Sequence, residues 1–174
     1  AKQSQFEEAL SSYKEALALF QKLNAKQEQA NTLSKIGDIY NSSLEYSQAF
    51  DYYQKSLQIS ENLGDELKLS LTYAAIGLLF LKQQELDLAK KYFDKALESA
   101  EKTGHPTVTS LILESIALFY KSQQFYKEAF AYYQRLIAFY QQHKQPDKAI
   151  DASLQIAKIY ESQGDFAKAQ QSYQ

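Results

Sequence analysis

The chain has 174 residues, enough for one domain with a sizeable core, and 45% of them are hydrophobic. Its formal net charge of -2 lacks the basic excess expected of a nucleic-acid-binding protein, and the absence of cysteine excludes disulfides and thiol catalysis. A membrane-spanning helix needs about 20 consecutive apolar residues. No such stretch occurs, so we expect no membrane insertion and a cytoplasmic location.

Helices are predicted along the whole chain, because only 5 glycines and 2 prolines interrupt residues of high helical propensity. The helices alternate between two types, which we call A and B. The B helices are predicted over residues 4–23, 46–62, 86–103, 126–143 and from 166 onward. The A helices are predicted over residues 27–43, 66–83, 106–123 and 146–163. The predicted class is therefore all-α, with about nine helices.

A motif recurs along the chain with a period of 40 residues. Each B helix carries an alanine, at Ala9, Ala49, Ala89, Ala129 and Ala169. An aromatic residue follows four positions later, at Tyr13, Tyr53, Phe93, Tyr133 and Tyr173. Each A helix carries a small residue after an isoleucine, at Gly37, Gly77, Ala117 and Ala157. A second aromatic residue follows these by three positions, at Tyr40, Phe80, Tyr120 and Tyr160. Residues three or four apart share a helix face, so the small residues are expected to let a neighbouring helix approach closely.

The ends of the helices are also marked in register. Asn24, Gly64 and Gly104 follow B helices, where a residue in the left-handed region is expected. Lys144 holds the same position and predicts a weaker stop. Among the turns from A to B, which read SSLE, QQE, QQF and QGD, only the last contains a glycine, Gly164. Each of the other turns is therefore either not left-handed or carries strain.

The pattern within residues 36–65, IGDIYNSSLEYSQAFDYYQKSLQISENLGD, resembles the tetratricopeptide repeat. The usual period of that family is about 34 residues, and the longer period found here is similar to the subclass seen in kinesin light chain, Pins-type polarity adaptors and bacterial signalling proteins. The resemblance implies a right-handed superhelical solenoid of antiparallel helix pairs whose A helices line a concave groove. It implies binding of a protein or peptide, and no catalysis by the repeats.

The whole chain is expected to form a single solenoid domain. A partial repeat at 1–24 precedes three full repeats at 25–64, 65–104 and 105–144, and 145–174 is an incomplete final repeat. Because the array starts on a B helix and stops early in another, we expect it to be part of a longer chain.

Groove positions follow from the resemblance and fall on the A helices. In the second repeat they are Leu71, Ala74, Leu78 and Leu81, and in the third they are Leu111, Glu114, Leu118 and Lys121. We expect the five leucines to form an apolar surface for an amphipathic helix or an apolar peptide. The alternative is that these leucines pack against adjacent A helices. Leu78 and Leu118 are the stronger candidates, because Asp38 and Lys158 hold the same position in other repeats.

No motif for catalysis, for a cofactor or for a metal is present, and the two histidines lack metal-ligand spacing. The paired aromatic residues of the B helices are attributed to packing, because the basic groove of a base-stacking surface is missing. The favoured function is a protein-interaction module, an adaptor or scaffold. The alternatives are a scaffold that forms homo-oligomers through its open repeat ends, and a regulatory domain of a larger signalling enzyme.

Overall fold

The computed structural model describes the backbone of residues 2–172 and the side chains of residues 6–172. Nine α-helices lie in this part of the chain. The B helices are α1 (Lys2–Lys22), α3 (Tyr46–Leu63), α5 (Leu86–Lys102), α7 (Tyr126–Gln142) and α9 (Phe166–Ser172). The A helices are α2 (Lys26–Ser42), α4 (Glu66–Lys82), α6 (Pro106–Ser122) and α8 (Pro146–Ser162). The all-α class is confirmed, and the predicted helix ends agree with the observed ones to within two residues.

The chain divides into two compact units. Unit 1 comprises residues 1–103, with helices α1 to α5, and unit 2 comprises residues 104–174, with helices α6 to α9. The division falls at the end of a predicted repeat, where Gly104 follows the last turn of a B helix. Within each unit, successive helices pack against one another.

Left-handed residues end the helices throughout the described chain. Asn24, Gly64, Gly104 and Lys144 have φ between 53° and 67°, as predicted for the turns from B to A. The turns from A to B are left-handed as well, at Leu44, Gln84, Gln124 and Gly164. In each of these turns the backbone N–H after the left-handed residue donates to a carbonyl five residues earlier, such as Glu45 N to Tyr40 O at 2.9 Å. The question left open by the sequence is therefore resolved in favour of strained, left-handed turns.

The core of unit 1 is built on the repeated small residues. Gly37 lies against the ring of Tyr53, and a Cβ atom there would come within 2.7 Å of that ring. Gly77 lies against the ring of Phe93, and a Cβ atom there would come within 2.4 Å. Both rings are fully buried. Glycine at these two positions is thus required by the close approach of helices within each pair.

Buried hydroxyl groups connect three helices of unit 1. The Oγ of Ser56 on α3 donates to the carbonyl of Ala30 on α2 at 2.8 Å and lies 2.9 Å from Ser34 Oγ. Ser34 Oγ lies in turn 3.3 Å from Thr72 Oγ1 on α4. Because each buried hydroxyl has a partner, the network carries little desolvation penalty and fixes the spacing of two A helices.

Unit 2 repeats this core with larger residues. Ala117 on α6 takes the position of Gly37 and Gly77, and Tyr133 on α7 takes that of Tyr53 and Phe93. Both Ala117 and Tyr133 are buried. The helices of the α2–α3 and α4–α5 pairs pack more closely than those of the α6–α7 pair. Ala117 gives a physical reason, since a Cβ atom at the equivalent glycines of unit 1 would clash with the facing aromatic ring.

Three B helices carry a doublet of adjacent aromatic residues. The first residue of each doublet, Tyr52, Tyr92 or Tyr132, stacks on an aromatic residue of the A helix in the same repeat. Ring centroids lie 5.4 Å apart for Tyr40 and Tyr52 and 5.5 Å apart for Tyr120 and Tyr132. The stacking of Phe80 on Tyr92, also at 5.4 Å, has the same form. These contacts support the interpretation of the doublets as packing residues.

None of the helices in the described part of the chain combines the length and the apolar character needed to cross a membrane.

Candidate binding surface

Two A helices of unit 1, α2 and α4, lie side by side. Lys82 Nζ on α4 donates to Asn41 Oδ1 on α2 at 3.2 Å, and Gln27 Nε2 on α2 donates to Asp65 Oδ2, the residue before α4, at 3.3 Å. The Ser34–Thr72 contact lies between these two polar links. The residues of α4 that point away from the B helices can therefore contribute to a surface shared with α2.

The predicted groove residues of α4 divide into exposed and buried pairs. Leu71 is 43% exposed and Leu78 is partly buried. Ala74 and Leu81 are only 8% and 1% exposed, and their assignment to the groove surface is corrected: they are core residues. At 3.6 residues per turn, Leu78 lies about 20° from Leu71 around the helix, whereas Ala74 and Leu81 lie about 60° and 80° to one side.

In unit 2 the corresponding residues of α6 are more accessible. Leu111 is 55% exposed and Leu118 is 45% exposed. Glu114 is exposed as well, and Lys121 is partly buried. Lys121 Nζ donates to Gln155 Oε1 on α8 at 3.0 Å, which joins α6 to α8 in the way that Lys82 joins α4 to α2. Burial and repulsion from Lys158 lower the pKa of Lys121 below its usual value.

A cavity of about 400 Å³ opens between α6, α7 and α8, entirely within unit 2. This volume is within the usual range for ligand pockets. Leu111, Leu136 and Ala152 provide apolar walls, and Thr107, Ser110 and Gln155 provide neutral polar groups. The charged residues of the lining are Glu114 on α6 and Lys148 and Asp151 on α8. The aromatic residues of the lining, Tyr133 and Tyr140, both come from α7.

The hydroxyl group of Tyr133 is the unusual feature of this cavity. The residue is 1% exposed, yet its Oη atom has no hydrogen-bond partner within the described part of the chain. Burial, together with the negative charge of Glu114, raises the pKa of Tyr133 to about 12, so the hydroxyl is neutral at physiological pH. Buried polar groups in folded proteins are rarely left unpaired, and a group that is unpaired calls for a physical explanation.

At the same repeat position in unit 1, the tyrosine hydroxyl group has a hydrogen-bond partner. Tyr53 Oη donates to Asp38 Oδ1 at 2.8 Å, and Asp38 also accepts from Lys35 Nζ at 3.3 Å. Burial and the Asp38 carboxylate raise the pKa of Tyr53 far above its usual value. In the next repeat Phe93 has no hydroxyl group, and Leu78 takes the position of Asp38. In unit 2 Leu118 takes that position, so Tyr133 has a hydroxyl group but lacks the carboxylate.

Tyr133 lines this cavity but is not among the groove positions predicted from the sequence. From the sequence, the paired aromatic residues of the B helices are attributed to packing, and this interpretation gives the Tyr133 hydroxyl group no role. A signal was nevertheless present, because the pairing of Tyr53 with Asp38 differs from that of Tyr133 with Leu118. Comparing the two positions together, rather than each one alone, identifies the hydroxyl group without a partner.

The histidines take no part in this surface. His143 ends α7, where its Nδ1 lies 2.8 Å from the carbonyl of Phe139 and its ring stacks on Phe139 at 4.1 Å. His105 is exposed and precedes α6. Among the described residues, no group of three or more His, Cys, Asp or Glu side chains is arranged to hold a metal ion.

Solved structures with the same fold include three proteins of different kinds. BtubC (BKLC) from P. vanneervenii matches with a TM-score of 0.74 and 22% identity over 98% of this chain and 71% of that one. The Rap conjugation gene regulator of the plasmid pLS20, solved with the Phr* peptide, matches with a TM-score of 0.66 and 19% identity over 98% of this chain and 47% of that one. The TPR-like repeats of a putative kinesin light chain from Podosopora anserina match with a TM-score of 0.68 and 13% identity over 98% of this chain and 85% of that one. At these identities the likeness concerns the fold.

No curated protein sequence matches the chain. Family models described as tetratricopeptide repeat do match it, over residues 1–62 and 28–102, over 109–143 and over 150–174. These matches cover nearly all of the chain and agree with the repeat of small and aromatic residues whose packing is described above. The chain belongs to the tetratricopeptide repeat family.

Proposed function

We propose that this chain is a protein-interaction module that binds an extended or helical peptide segment of another protein on its A-helix faces. The observation that carries the proposal is the pair of exposed leucines on α6, Leu111 and Leu118, of which Leu111 lines the cavity of unit 2. They are seven residues apart and therefore lie on one face of the helix. Leu71 is an exposed counterpart in unit 1.

The fold itself does not require an apolar residue at position 118. Asp38 and Lys158 hold the equivalent positions of α2 and α8. A leucine that is 45% exposed where the repeat accepts a charged residue is better explained by a bound partner than by core packing. A structural relative, the Rap regulator, was solved with a bound peptide, which is consistent with this function for the fold.

Selection of random peptides displayed on phage, with the purified chain as bait, tests the proposal. Peptides that bind are synthesised, and their affinities are measured by fluorescence anisotropy. The test variant is Leu118→Asp, and the matched control is Ala138→Asp, which places the same charge on an exposed position of α7. Burial of a leucine is worth about 1.5–3 kcal/mol, so Leu118→Asp is expected to weaken binding by at least about tenfold.

The control variant is expected to bind as the unmodified chain does. Equal affinity for the unmodified chain and for Leu118→Asp would contradict the proposed face. The recovery of no binding peptide at all would contradict the peptide-receptor function.

A further inference from the structure

We propose that the cavity of unit 2 is a subsite for an arginine side chain of the bound peptide. This inference rests on the proposed function and specifies which residue type the A-helix face recognises. Its elements are the unpaired Tyr133 hydroxyl, the carboxylates of Glu114 and Asp151, and the apolar walls between them.

The cavity offers acceptors that the chain itself leaves unused. Tyr133 Oη has no partner, and no hydrogen bond or ion pair to another described residue engages Glu114 or Asp151. The carboxamide oxygen of the lining, Gln155 Oε1, already accepts a hydrogen bond from Lys121 Nζ. A ligand that donates several hydrogen bonds therefore fits the cavity better than one that accepts them.

The charge of the lining also favours a cation. Two carboxylates face one ammonium group, Lys148, and Lys148 lies over the ring of Tyr140 with its Nζ 5.6 Å from the ring centroid. Among the lining residues, α7 contributes no charged group. Lys121 is not a lining residue, and its ammonium group is bound to Gln155. The lining therefore has a net charge of about -1, and a bound cation would balance it.

The shape and polarity distinguish arginine from other cations. Leu111, Leu136 and Ala152 can cover a methylene stem, as apolar surfaces do for long basic side chains. A guanidinium group has five N–H donors in a planar fork, which suits three acceptors on three different helices. An ammonium group has the same charge but presents its donors around a single point. We therefore expect lysine to bind more weakly than arginine.

The first experiment uses a probe that does not depend on the peptide selection. Nα-acetyl-arginine methylamide is titrated into the labelled chain, and amide chemical shifts are followed by NMR. Nα-acetyl-citrulline methylamide, which is neutral and nearly the same shape, is the ligand control. The arginine compound is expected to shift amides around Glu114, Tyr133 and Asp151, and the citrulline compound is expected to leave them unchanged. Equal shifts from both compounds, or none from either, would overturn the inference.

Variants assign the effect to the cavity. Tyr133→Phe and Glu114→Gln are each expected to weaken binding of the arginine compound by about tenfold, the value of a hydrogen bond to a charged group. Tyr53→Phe is the matched control, because its hydroxyl group is already bound to Asp38 in unit 1, and it should leave binding unchanged. Unchanged binding by Tyr133→Phe, confirmed as folded by its amide spectrum, would overturn the role of the hydroxyl.

The selected peptides separate this inference from the proposed function. Replacement of their arginine by citrulline is expected to lower affinity by about tenfold or more. Peptides that depend on Leu118 but contain no arginine, or tolerate its replacement, would uphold the proposed function and overturn the arginine subsite. Peptides whose binding depends on a free carboxylate and on Lys148 would also overturn the subsite, because they would identify an anion as its occupant.

Discussion

In unit 1 the hydroxyl group of Tyr53 donates to the carboxylate of Asp38, whereas in unit 2 the hydroxyl group of Tyr133, at the same repeat position, borders a cavity and has no partner among the described residues. The helix pairs of unit 1 close tightly over Gly37 and Gly77, while unit 2 has Ala117 at that position. The same repeat position thus carries a hydrogen-bonded tyrosine in one unit and, in the other, a tyrosine that lines a polar cavity and whose hydroxyl group has no partner among the described residues. Under the proposed arginine subsite, this difference is where the chain gives up stability for recognition.

The largest effect is expected from filling the close approach in unit 1. Gly77→Val places a branched side chain where even a Cβ atom would come within 2.4 Å of the buried Phe93 ring. We expect a loss of about 3 kcal/mol in the free energy of unfolding of unit 1. Amide hydrogen exchange measures it, because protection should fall in α4 and α5. The double variant Gly77→Val/Phe93→Leu should recover part of the loss, and full additivity of the two changes would contradict the packing argument.

The next effect is a fall in stability at alkaline pH. Burial raises the pKa of Tyr73 and of Tyr133 to about 12, from a usual value of 10. Because the folded pKa lies above the unfolded one, the stabilisation is complete below pH 10 and is lost as the pH rises from 10 to 12. The loss from the buried Tyr133 is expected to be on the order of 2 kcal/mol. Urea unfolding between pH 9 and pH 12 should show a smaller decline for Tyr133→Phe, and identical declines would contradict the burial of this hydroxyl group.

Unit 2 should also be able to form the tyrosine–aspartate hydrogen bond that is found in unit 1. Leu118→Asp supplies Tyr133 with a carboxylate at the position that Asp38 holds relative to Tyr53. We expect a gain of about 1.5 kcal/mol in the stability of unit 2, the lower end for a charge-assisted hydrogen bond. The gain should vanish in a Tyr133→Phe background, as measured by urea unfolding. The same gain in both backgrounds would mean that the aspartate acts without the tyrosine.

The smallest effect is expected in the turns, where the two units share a strained backbone. Leu44 and Gln124 have left-handed backbones without being glycine, with φ of 63° and 64°. Leu44→Gly and Gln124→Gly should each stabilise the chain by about 0.5 kcal/mol, because relief of strain slightly exceeds the extra entropy of the unfolded glycine. Thermal unfolding followed by circular dichroism measures the change. Gly64→Ala, at φ 66°, is the converse variant and should lower the melting temperature.

Most of the fold could be predicted from the sequence, because a repeated pattern supplies several independent observations of the same helix pair. Ile36, Gly37 and Ala49 are in the core as their spacing predicts. The sequence leaves open whether the turn at Leu44 is left-handed, since its geometry is imposed by the two packed helices and not by the propensity of leucine. Tertiary packing thus decided the conformation where local sequence left it open.

The candidate site could be predicted only in part. Leu71 and Leu118 are exposed on A-helix faces, but Ala74 and Leu81 are buried because the angle between residues on a helix turns them to one side. The Tyr133 hydroxyl group has no partner where Tyr53 has Asp38, and this difference is visible only when two positions 15 residues apart are compared between repeats. Single positions taken one at a time do not reveal such a mismatch.

The difference between the two tyrosines is tested most directly by removing each hydroxyl group and measuring the stability of both variants by urea unfolding. Tyr53→Phe breaks a hydrogen bond to a carboxylate, and we expect it to destabilise unit 1 by about 1.5 kcal/mol. Tyr133→Phe removes a buried hydroxyl group without a partner, and we expect it to stabilise unit 2 by about 1 kcal/mol. Opposite signs would support an unsatisfied recognition group in unit 2. A loss of stability of similar size in both variants would contradict it, because Tyr133 would then have a structural partner of its own.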